Sequence, residues 1–278
     1  MEVFTTIADL QYFFGLNPSK SIGLVPTMGA LHEGHIALIA SALSSNDIVV
    51  CSIFINPTQF NNPEDLKKYP RSLESDLKML ESAGCHVVFA PSDTQMYTTL
   101  PRTSLSFGAI ESIMEGESRP GHFNGVGLVV SKLFNISRPQ RAYFGQKDLQ
   151  QVSVIRQLIT DFSYPIELVV CPTQRQADGL AMSSRNRRLT QEETLMAPLV
   201  YKKLVEAKEA LIAGSSVHSA KMNFEDFFKD KPQFQLDYFE IANSENLESI
   251  DAISPGHPTA ICVAIFLGEV RLIDNLVF

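Results

Sequence analysis

His32 and His35 stand three residues apart in the segment PTMGALHEGH, residues 26–35, which follows an apolar run. If a helix begins near His32, both rings lie on one face over its N-terminus, where backbone N–H groups and the helix dipole favour phosphate. Gly34 would leave room beside the rings. A zincin needs two histidines four residues apart, so we interpret the pair as phosphate-binding, with a metal pair or ordinary surface histidines as the alternatives.

A second polar group follows the next apolar run, in the segment FINPTQF, residues 54–60. The carboxamides of Asn56 and Gln59 each offer a donor and an acceptor to a hydroxy acid, and such a site rejects analogues that lack the hydroxyl. The alternative for Asn56 is local, because Asn-Pro-Thr is typical of a turn that the asparagine side chain caps.

The third group, residues 144–151 with the sequence FGQKDLQQ, again joins a strand end to a helix start. Lys147 is a mobile point charge suited to phosphate oxygens, and Asp148 would either cap the helix or accept a hydrogen bond from a ribose hydroxyl. Gln151, one helical turn further on, would face the same cleft.

The fourth group is the polar segment DGLAMSSRN, residues 178–186. Ser183, Ser184 and Arg185, together with backbone amides, can form an anion cradle that closes over a triphosphate. Taken alone, the segment could equally be a solvated hinge. All four groups offer phosphate or hydroxyl partners at strand ends or at this hinge, so we expect them to form one site.

The elements that must position these groups alternate between β-branched runs and amphipathic helical patterns up to about Cys171. This alternation is typical of a parallel sheet covered on both faces, and it predicts a doubly wound α/β domain. Helices are expected from about Ser72 to Gly84 and through Leu149, Val152, Ile155 and Ile159. The predicted strands are residues 22–25, 48–55, 87–89, 141–144 and 166–170.

After Cys171 the pattern changes, and Thr190 with Glu193 forms a capping box that opens a long helix, which Pro198 should kink. A further helix is predicted over residues 217–229, and strands over 236–241, 260–267 and 270–273. We therefore expect a Rossmann-like, nucleotide-binding domain over residues 1–173. A smaller α+β lid domain would follow over residues 174–278.

The composition excludes several classes of protein. The chain has 278 residues, 45% of them hydrophobic, with a formal net charge of -8 and a pI near 5.3. Binding to a polyanion needs a field of the opposite sign, so we expect no nucleic-acid partner and no membrane surface. The four cysteines lie far apart and suggest core residues. With neither a signal peptide nor a membrane span in the sequence, we expect a cytoplasmic protein.

Seven motifs resemble the pantothenate synthetase family: PTMGALHEGH, NPTQF, YPR, HFNGV, FGQKDLQQ, DGLAMSSRN and RLIDN. They span residues 26–275. The histidine and Met-Ser-Ser-Arg elements also resemble the paired ATP-binding signatures of the wider nucleotidyltransferase superfamily, which includes class I aminoacyl-tRNA synthetases. The resemblance implies an ATP-dependent ligase that converts pantoate and ATP to pantoyl adenylate and pyrophosphate. β-Alanine then attacks the acyl carbon, which releases pantothenate and AMP.

The resemblance also implies roles for particular residues, with Mg²⁺ accompanying ATP and with a homodimer as the assembly. His32, His35, Lys147, Ser183, Ser184 and Arg185 would hold the triphosphate and stabilise the leaving pyrophosphate. The remaining nucleotide-binding residues would be Pro26, Thr27, Met28, Gly29, Gly34, Gly145, Asp148, Gln174 and Met182. Gln59 and Gln151 would hold pantoate, with Asn56 and Tyr69 at the same end of the cleft. Asp76 would help to position Mg²⁺.

Three glutamines depart from the family pattern. Gln146 stands where glutamate is common, and Gln174 and Gln176 stand where valine and glutamate are usual, so any adenine contact there would be through backbone atoms. His122 and Arg119, in a Gly- and Pro-containing loop, would approach the cleft or a partner subunit. The alternative functions are a nucleotidyltransferase that moves AMP or CMP onto a phosphorylated small molecule and a nonenzymatic nucleotide sensor.

Overall fold

The computed structural model describes residues 1–254 and 256–278. A six-stranded parallel sheet forms its main layer, in the strand order β1-β4-β3-β2-β5-β6. These strands are β1 (Glu2–Phe4), β2 (Ile22–Thr27), β3 (Ile48–Ile53), β4 (Val87–Phe89), β5 (Arg141–Gly145) and β6 (Glu167–Cys171). Neighbouring residues of β2, Leu24 and Val25, belong to two different apolar clusters. Both faces of this sheet are therefore buried, which explains the near-continuous apolar runs.

Helices cover the sheet and also contribute to the C-terminal part of the chain. The first eight are α1 (Ile7–Gly15), α2 (Glu33–Leu43), α3 (Pro63–Lys68), α4 (Leu73–Ser82), α5 (Asp93–Met96), α6 (Met114–Ser118), α7 (His122–Ser137) and α8 (Leu149–Asp161). The last three are α9 (Gln191–Met196), α10 (Pro198–Ile212) and α11 (Val217–Lys229). Within the described ranges, none of these helices is both long and apolar enough to cross a bilayer.

A second, antiparallel sheet contains β7 (Phe234–Asn243), β8 (Thr259–Leu267) and β9 (Val270–Val277), in that order. Its inner face packs with α10 and α11 into a separate apolar cluster that includes Leu204, Phe224 and Ile261. The predicted fold class, a doubly wound α/β sheet followed by a smaller α+β part, is therefore confirmed.

The chain leaves β2 towards β3 on one side of the sheet and leaves β5 towards β6 on the other. Because β2 and β5 are neighbours, the strand order reverses between their carboxyl ends. Open α/β sheets bind ligands in the crevice at such a point. The first and third polar groups follow these two strands, so the fold brings them together.

Most predicted elements agree with the structure, but one strand was missed and two expectations were wrong. The short edge strand β1 was missed. Residues 119–121 form a turn, but His122 begins the 16-residue helix α7 and does not lie in a loop. Pro198 does not kink one long helix, because the chain breaks at Ala197 into α9 and α10, with the proline in the first turn of α10. The capping box of Thr190 and Glu193 is present, and all four cysteines are buried.

Candidate active site

His32 and His35 cap the N-terminus of α2. The Nδ1 atom of His32 accepts a hydrogen bond from the Gly34 N–H (3.1 Å), and the Nδ1 atom of His35 accepts one from the His32 N–H (3.3 Å). Both backbone donors are thereby satisfied, as in a capping box. A neutral ring whose Nδ1 accepts must carry its proton on Nε2. Each Nε2 is therefore a hydrogen-bond donor.

Withdrawal from water, followed by the charges of Lys147 and Arg187, lowers the pKa of His32 to about 4. Burial, followed by the effects of His32 and Lys147, lowers the pKa of His35 to about 3. Both rings are therefore neutral at pH 7 in the unliganded protein. The influence of Lys147 on both rings also shows that the first and third groups lie close together. The site can offer two imidazole donors and one cation to a phosphate chain.

Gly34 and Gly29 each meet a steric requirement near these rings. A Cβ atom on Gly34 would lie 2.8 Å from the Cε1 atom of His32. Gly29 has φ +77°, and the Cβ it lacks would lie 3.0 Å from a carboxylate oxygen of Asp76. The sequence-based expectation that Gly34 leaves room for the histidines is consistent with this geometry.

Asp76 on α4 holds the loop between β2 and α2. Its two carboxylate oxygens accept hydrogen bonds from the N–H groups of Ala30 and Leu31, at 2.9 Å each, and Ser72 donates to it as well (3.1 Å). The side chain is 1% exposed and lines neither cavity described below. These contacts give Asp76 a structural role in the loop and do not favour the predicted role in positioning Mg²⁺.

Asn56, which the resemblance places at the pantoate end of the cleft, is 1% exposed and lines neither of the two cavities described below. Its Nδ2 donates to Gln59 Oε1 (3.1 Å) and to the Gly125 carbonyl (3.0 Å), and its Oδ1 accepts from the Tyr97 hydroxyl (2.9 Å). All of its polar groups are engaged, so the local alternative of a turn cap describes it better. It instead orients Gln59, which does line the cleft and whose Nε2 faces the Met28 sulfur (2.9 Å).

Lys147 lies in the 3₁₀ turn Gln146–Asp148 after β5, and a residue from the last strand fixes that turn. The Nδ2 atom of Asn275 donates to the carbonyls of Gln146 and Lys147, at 2.9 Å each. Asn275 is 3% exposed, so both bonds are shielded from water. The Lys147 ammonium itself has a long contact with Asp148, at 3.5 Å, and remains available to a ligand.

The serine and arginine loop packs against the histidine loop. Ser183 begins the 3₁₀ turn Ser184–Arg188, and Arg187 donates to the Leu31 carbonyl (2.9 Å). Ser184 lies 3.5 Å from the Tyr69 hydroxyl, while Arg185 pairs with Asp65 on α3 (3.1 Å). To bind a triphosphate in the predicted anion cradle, Arg185 would have to exchange its ion pair with Asp65 for contacts to the phosphates.

The segment before this loop folds back on itself through backbone hydrogen bonds. The Met182 N–H donates to the Gln174 carbonyl (2.9 Å), and the Gln176 N–H donates to the Leu180 carbonyl (2.8 Å). Between the two glutamines, Arg175 forms a two-pronged ion pair with buried Asp274, at 2.6 and 2.9 Å. Gln174 and Gln176, which depart from the family pattern, therefore stand on either side of an arginine that Asp274 holds in place.

A cavity of about 210 Å³ lies between the carboxyl ends of β2 and β5. All the residues predicted to bind the nucleotide line it except Gly29, and so do Gln59, Gln151 and Tyr69. A larger cavity of about 580 Å³ opens from it towards the C-terminal sheet and shares the walls at Gln59, Gln151 and Lys147. The two cavities are parts of one cleft.

Sequence reasoning missed three residues that support this cleft. Asn275 and Asp274 belong to the RLIDN motif, and Arg175 stands between two departures from the family pattern. The resemblance of RLIDN to the family motif is the sequence signal that could have pointed to Asp274 and Asn275. Arg119 and His122, whose role was left open, line the larger cavity and not the smaller one.

The chain matches the family model described as pantoate-beta-alanine ligase over residues 2–277. A pantothenate synthetase from Cytophaga hutchinsonii is 47% identical, over 98% of this chain and 98% of that protein. Another from Acetivibrio thermocellus is 44% identical, over 100% of this chain and 99% of that protein.

Solved structures agree with the family match. The crystal structure of pantothenate synthetase from Thermus thermophilus has a TM-score of 0.92 and 42% identity, with 99% of each chain covered. The Francisella tularensis pantoate-beta-alanine ligase, complexed with beta-gamma ATP and beta-alanine, has a TM-score of 0.82 and 37% identity. That match covers 99% of this chain and 97% of the other. The resemblance that the motifs indicated is confirmed, and this chain belongs to the pantoate–β-alanine ligase family of enzymes.

Proposed function

We propose that the protein condenses pantoate and β-alanine into pantothenate through pantoyl adenylate, with ATP converted to AMP and pyrophosphate. The observation that carries this proposal is the cleft at the reversal of strand order. There, residues of three phosphate-directed motifs line the same walls as Gln59 and Gln151. A ligase of this kind needs a nucleotide and an acid side by side, and this cleft supports both.

In the first step, a carboxylate oxygen of pantoate attacks the α-phosphorus of ATP. The bond from that phosphorus to the bridging oxygen breaks, and pyrophosphate leaves with the electron pair. No protein nucleophile is required, so the contribution of the protein is alignment and stabilisation of developing charge. We assign that stabilisation to the Nε2–H groups of His32 and His35, to Lys147, and to Ser183, Ser184 and Arg185.

In the second step, the uncharged amine of β-alanine attacks the acyl carbon. The new C–N bond forms as the bond from carbon to the phosphate oxygen breaks, AMP leaves, and the amine loses a proton. Gln59 and Gln151 would hold the hydroxyls of the pantoyl group, with Asn56 acting behind Gln59 and Tyr69 closing the same wall.

Magnesium would enter with the substrate as MgATP. Mg²⁺ in such sites is usually held by substrate phosphates and water, with one or two carboxylates. Among the residues that the structure describes, no group of three His, Cys, Asp or Glu side chains is arranged to hold a metal ion. Because both carboxylate oxygens of Asp76 already accept backbone hydrogen bonds, we propose that the triphosphate carries the ion and that Asp76 acts through the loop.

The proposal also assigns a role to each of the two predicted domains. We propose that residues 1–173 bind the nucleotide and pantoate, and that residues 174–278 act as a lid. The Ser183–Arg185 loop would be the part of the lid that reaches the phosphates. A homodimer and a cytoplasmic location remain predictions from the family resemblance, and light scattering of the purified protein tests the first.

The decisive experiment is exchange of labelled pyrophosphate into ATP, with Mg²⁺ and without β-alanine. We expect exchange that depends on pantoate, because formation of the acyl adenylate is reversible. Exchange without any acid, or none in a folded protein that binds ATP, would contradict the proposal. A nucleotidyltransferase would instead leave the nucleotide attached to its acceptor, so analysis of products with both substrates present separates the two functions.

A further inference from the structure

Arg187 joins the serine and arginine loop to the histidine loop, and the proposed adenylation step does not use it. Its Nη2 atom donates a hydrogen bond to the Leu31 carbonyl (2.9 Å). Arg187 follows Arg185 by two residues in the same 3₁₀ turn, Ser184–Arg188, but it lines neither of the two cavities. The side chain is therefore placed to act on the histidine loop and not on a ligand in the cleft.

The segment that receives this bond has an unfavourable backbone conformation. Gly29 and Ala30 follow one another with φ +77° and +50°, in the left-handed region that an alanine rarely adopts. Such a conformation persists only where the surrounding structure holds it in place. Asp76 accepts hydrogen bonds from the N–H groups of Ala30 and Leu31. Leu31 is thus held at its N–H by a carboxylate and at its carbonyl by the guanidinium of Arg187.

The Leu31 carbonyl belongs to the same peptide unit as the His32 N–H. Because a peptide unit is planar, a bond that fixes its oxygen also fixes the direction of its N–H. This N–H donates to the Nδ1 atom of His35 (3.3 Å) and so orients that ring. Leu31 is 0% exposed, so loss of the arginine would deprive a buried acceptor of its partner. The bond from Arg187 therefore reaches the His35 ring through one rigid unit.

The charge of Arg187 also acts on both imidazoles. Burial is the main cause that lowers the pKa of His32 to about 4, with contributions from Lys147 and then from Arg187. Burial likewise comes first for His35, whose pKa is lowered to about 3, and the charges of His32, Lys147 and Arg187 follow. The guanidinium thus lies close enough to both rings to favour their neutral forms, in which Nε2 is the donor.

We propose that Arg187 is a positioning residue that aligns the histidine donors with the phosphate chain once the loop containing Ser183 and Arg185 is in place. This inference rests on the proposed function and deepens it, because it joins two parts of the phosphate site that belong to different predicted domains. Donors to developing charge act only when they are held in the correct geometry. The charge-assisted bond to the Leu31 carbonyl supplies that constraint for the histidine loop.

The first test measures pantoate-dependent pyrophosphate exchange in Arg187→Met and Arg187→Lys. In Arg187→Met we expect kcat to fall roughly 10- to 100-fold, the scale for a misplacement of about 1 Å, with the KM for ATP within about threefold of the native value. Arg187→Lys keeps a charged donor and should retain part of the rate. Arg156→Met, which changes an exposed arginine on α8, is the matched control and should behave as the native protein. A raised KM for ATP with unchanged kcat would make Arg187 a nucleotide ligand and overturn the inference.

A double variant tests whether Arg187 acts through the His35 ring. His35→Ala alone should already lower the exchange rate. Adding Arg187→Met should then lower it by less than about threefold, because residues of one network are not additive. If the two effects multiplied instead, the arginine would act independently of the ring, and the inference would be wrong.

Hydrogen–deuterium exchange of the peptide that covers residues 27–36 tests the contact without any catalysis. In the absence of substrates, we expect these amides to exchange about 10-fold faster in Arg187→Met than in the native protein, with the amides of α8 unchanged. Arg156→Met should match the native protein. Unchanged protection of residues 27–36 in Arg187→Met, in a native protein that does exchange pyrophosphate, would overturn the inference alone. Native protein without pantoate-dependent exchange would refute the proposed function, and the role of Arg187 in adenylation with it.

Discussion

The Nδ1 atom of His35 accepts a hydrogen bond from the backbone N–H of His32, and this contact places the proton of the His35 ring on Nε2, in the wall of the smaller cavity. The arrangement is a capping box built from two imidazoles, in which the usual serine and glutamate are replaced. The same backbone that forms the helix N-terminus thus fixes which nitrogen of each histidine can donate to a ligand. Small shifts of either ring should therefore cost activity.

Gly34→Ala tests this requirement. The added methyl group would lie 2.8 Å from the His32 ring and would push it out of the cap. A misplacement of about 1 Å in such a site can cost on the order of 100-fold in rate, and we expect pantoate-dependent exchange to fall by that order. Gly15→Ala is the matched control, because nothing lies within 4 Å of its added Cβ. Equal rates in the two variants would contradict this account of His32.

Lys147→Ala should lower the adenylation rate by roughly two to three orders of magnitude, the scale for removing a preorganised donor to a transition state. Single-turnover formation of the adenylate measures this directly. Lys78→Ala on α4, where an exposed lysine pairs with Glu74, is the control. Native-like adenylation in Lys147→Ala would remove the lysine from the mechanism.

Asp76→Asn separates a structural role from a metal-binding role. The asparagine would turn an amide N–H₂ towards a backbone donor that the carboxylate now satisfies. We expect the free energy of unfolding to fall by about 1.5–3 kcal/mol, as for a hydrogen bond to a charged group. The Mg²⁺ concentration at half-maximal activity should not change. A large increase in that concentration, with stability unchanged, would restore the metal role; Glu74→Gln on the same helix is the control.

His122 should make stability depend on pH. Its pKa falls from an ordinary 6.5 to about 4 on folding, because the ring is buried beside Arg119. Between these values the unfolded chain binds more protons than the folded protein, so the free energy of unfolding decreases as pH falls from 6.5 towards 4. Urea unfolding at pH 7 and pH 5 should show this decrease, and His122→Asn should reduce it. An unchanged pH dependence in that variant would contradict the prediction; His218→Asn, on the exposed side of α11, is the control for removing a histidine.

Asn275→Ala should impair adenylation through the turn that carries Lys147. Loss of the two bonds to the carbonyls of Gln146 and Lys147 would free the turn that presents the lysine. We expect roughly a 10- to 100-fold lower rate of exchange, by the same argument from misplacement. Asn135→Ala removes an exposed asparagine on α7 as the control. If Asn275→Ala lost activity only in proportion to unfolded protein, the positioning role would be wrong.

The sequence allowed the fold class and most of the cleft to be predicted because both depend on local patterns. Buried strands have apolar runs, and parallel strands present their following loops at one edge. The helix α7 was missed because its glycines lower helix propensity. Gly125 is required there because a Cβ atom would lie 2.3 Å from the Thr58 carbonyl oxygen, a contact between segments that no local pattern reports.

The contacts between elements that are distant in the sequence were not predictable for a related reason. Asn56 has the right chemistry for a hydroxy acid, but only the packing of Gly125 and Tyr97 around it shows that its polar groups are already satisfied. Likewise, Asn275 reaches a turn on the other side of the cleft. The periodicity of apolar residues predicts a single helix or strand. It does not report the hydrogen bonds that Asn56 and Asn275 make to other elements.

The hydrogen bond from Asn275 to the Lys147 carbonyl can form only late in the synthesis of the chain. The lysine emerges 128 residues before the asparagine that fixes its turn. At about 5–20 residues per second, that interval is on the order of ten seconds. Until β9 is made and docked, the nascent protein has the loops proposed to hold ATP but lacks the constraint on the turn that carries Lys147. If Lys147 acts as proposed, an unfinished polypeptide is poorly equipped to consume nucleotide.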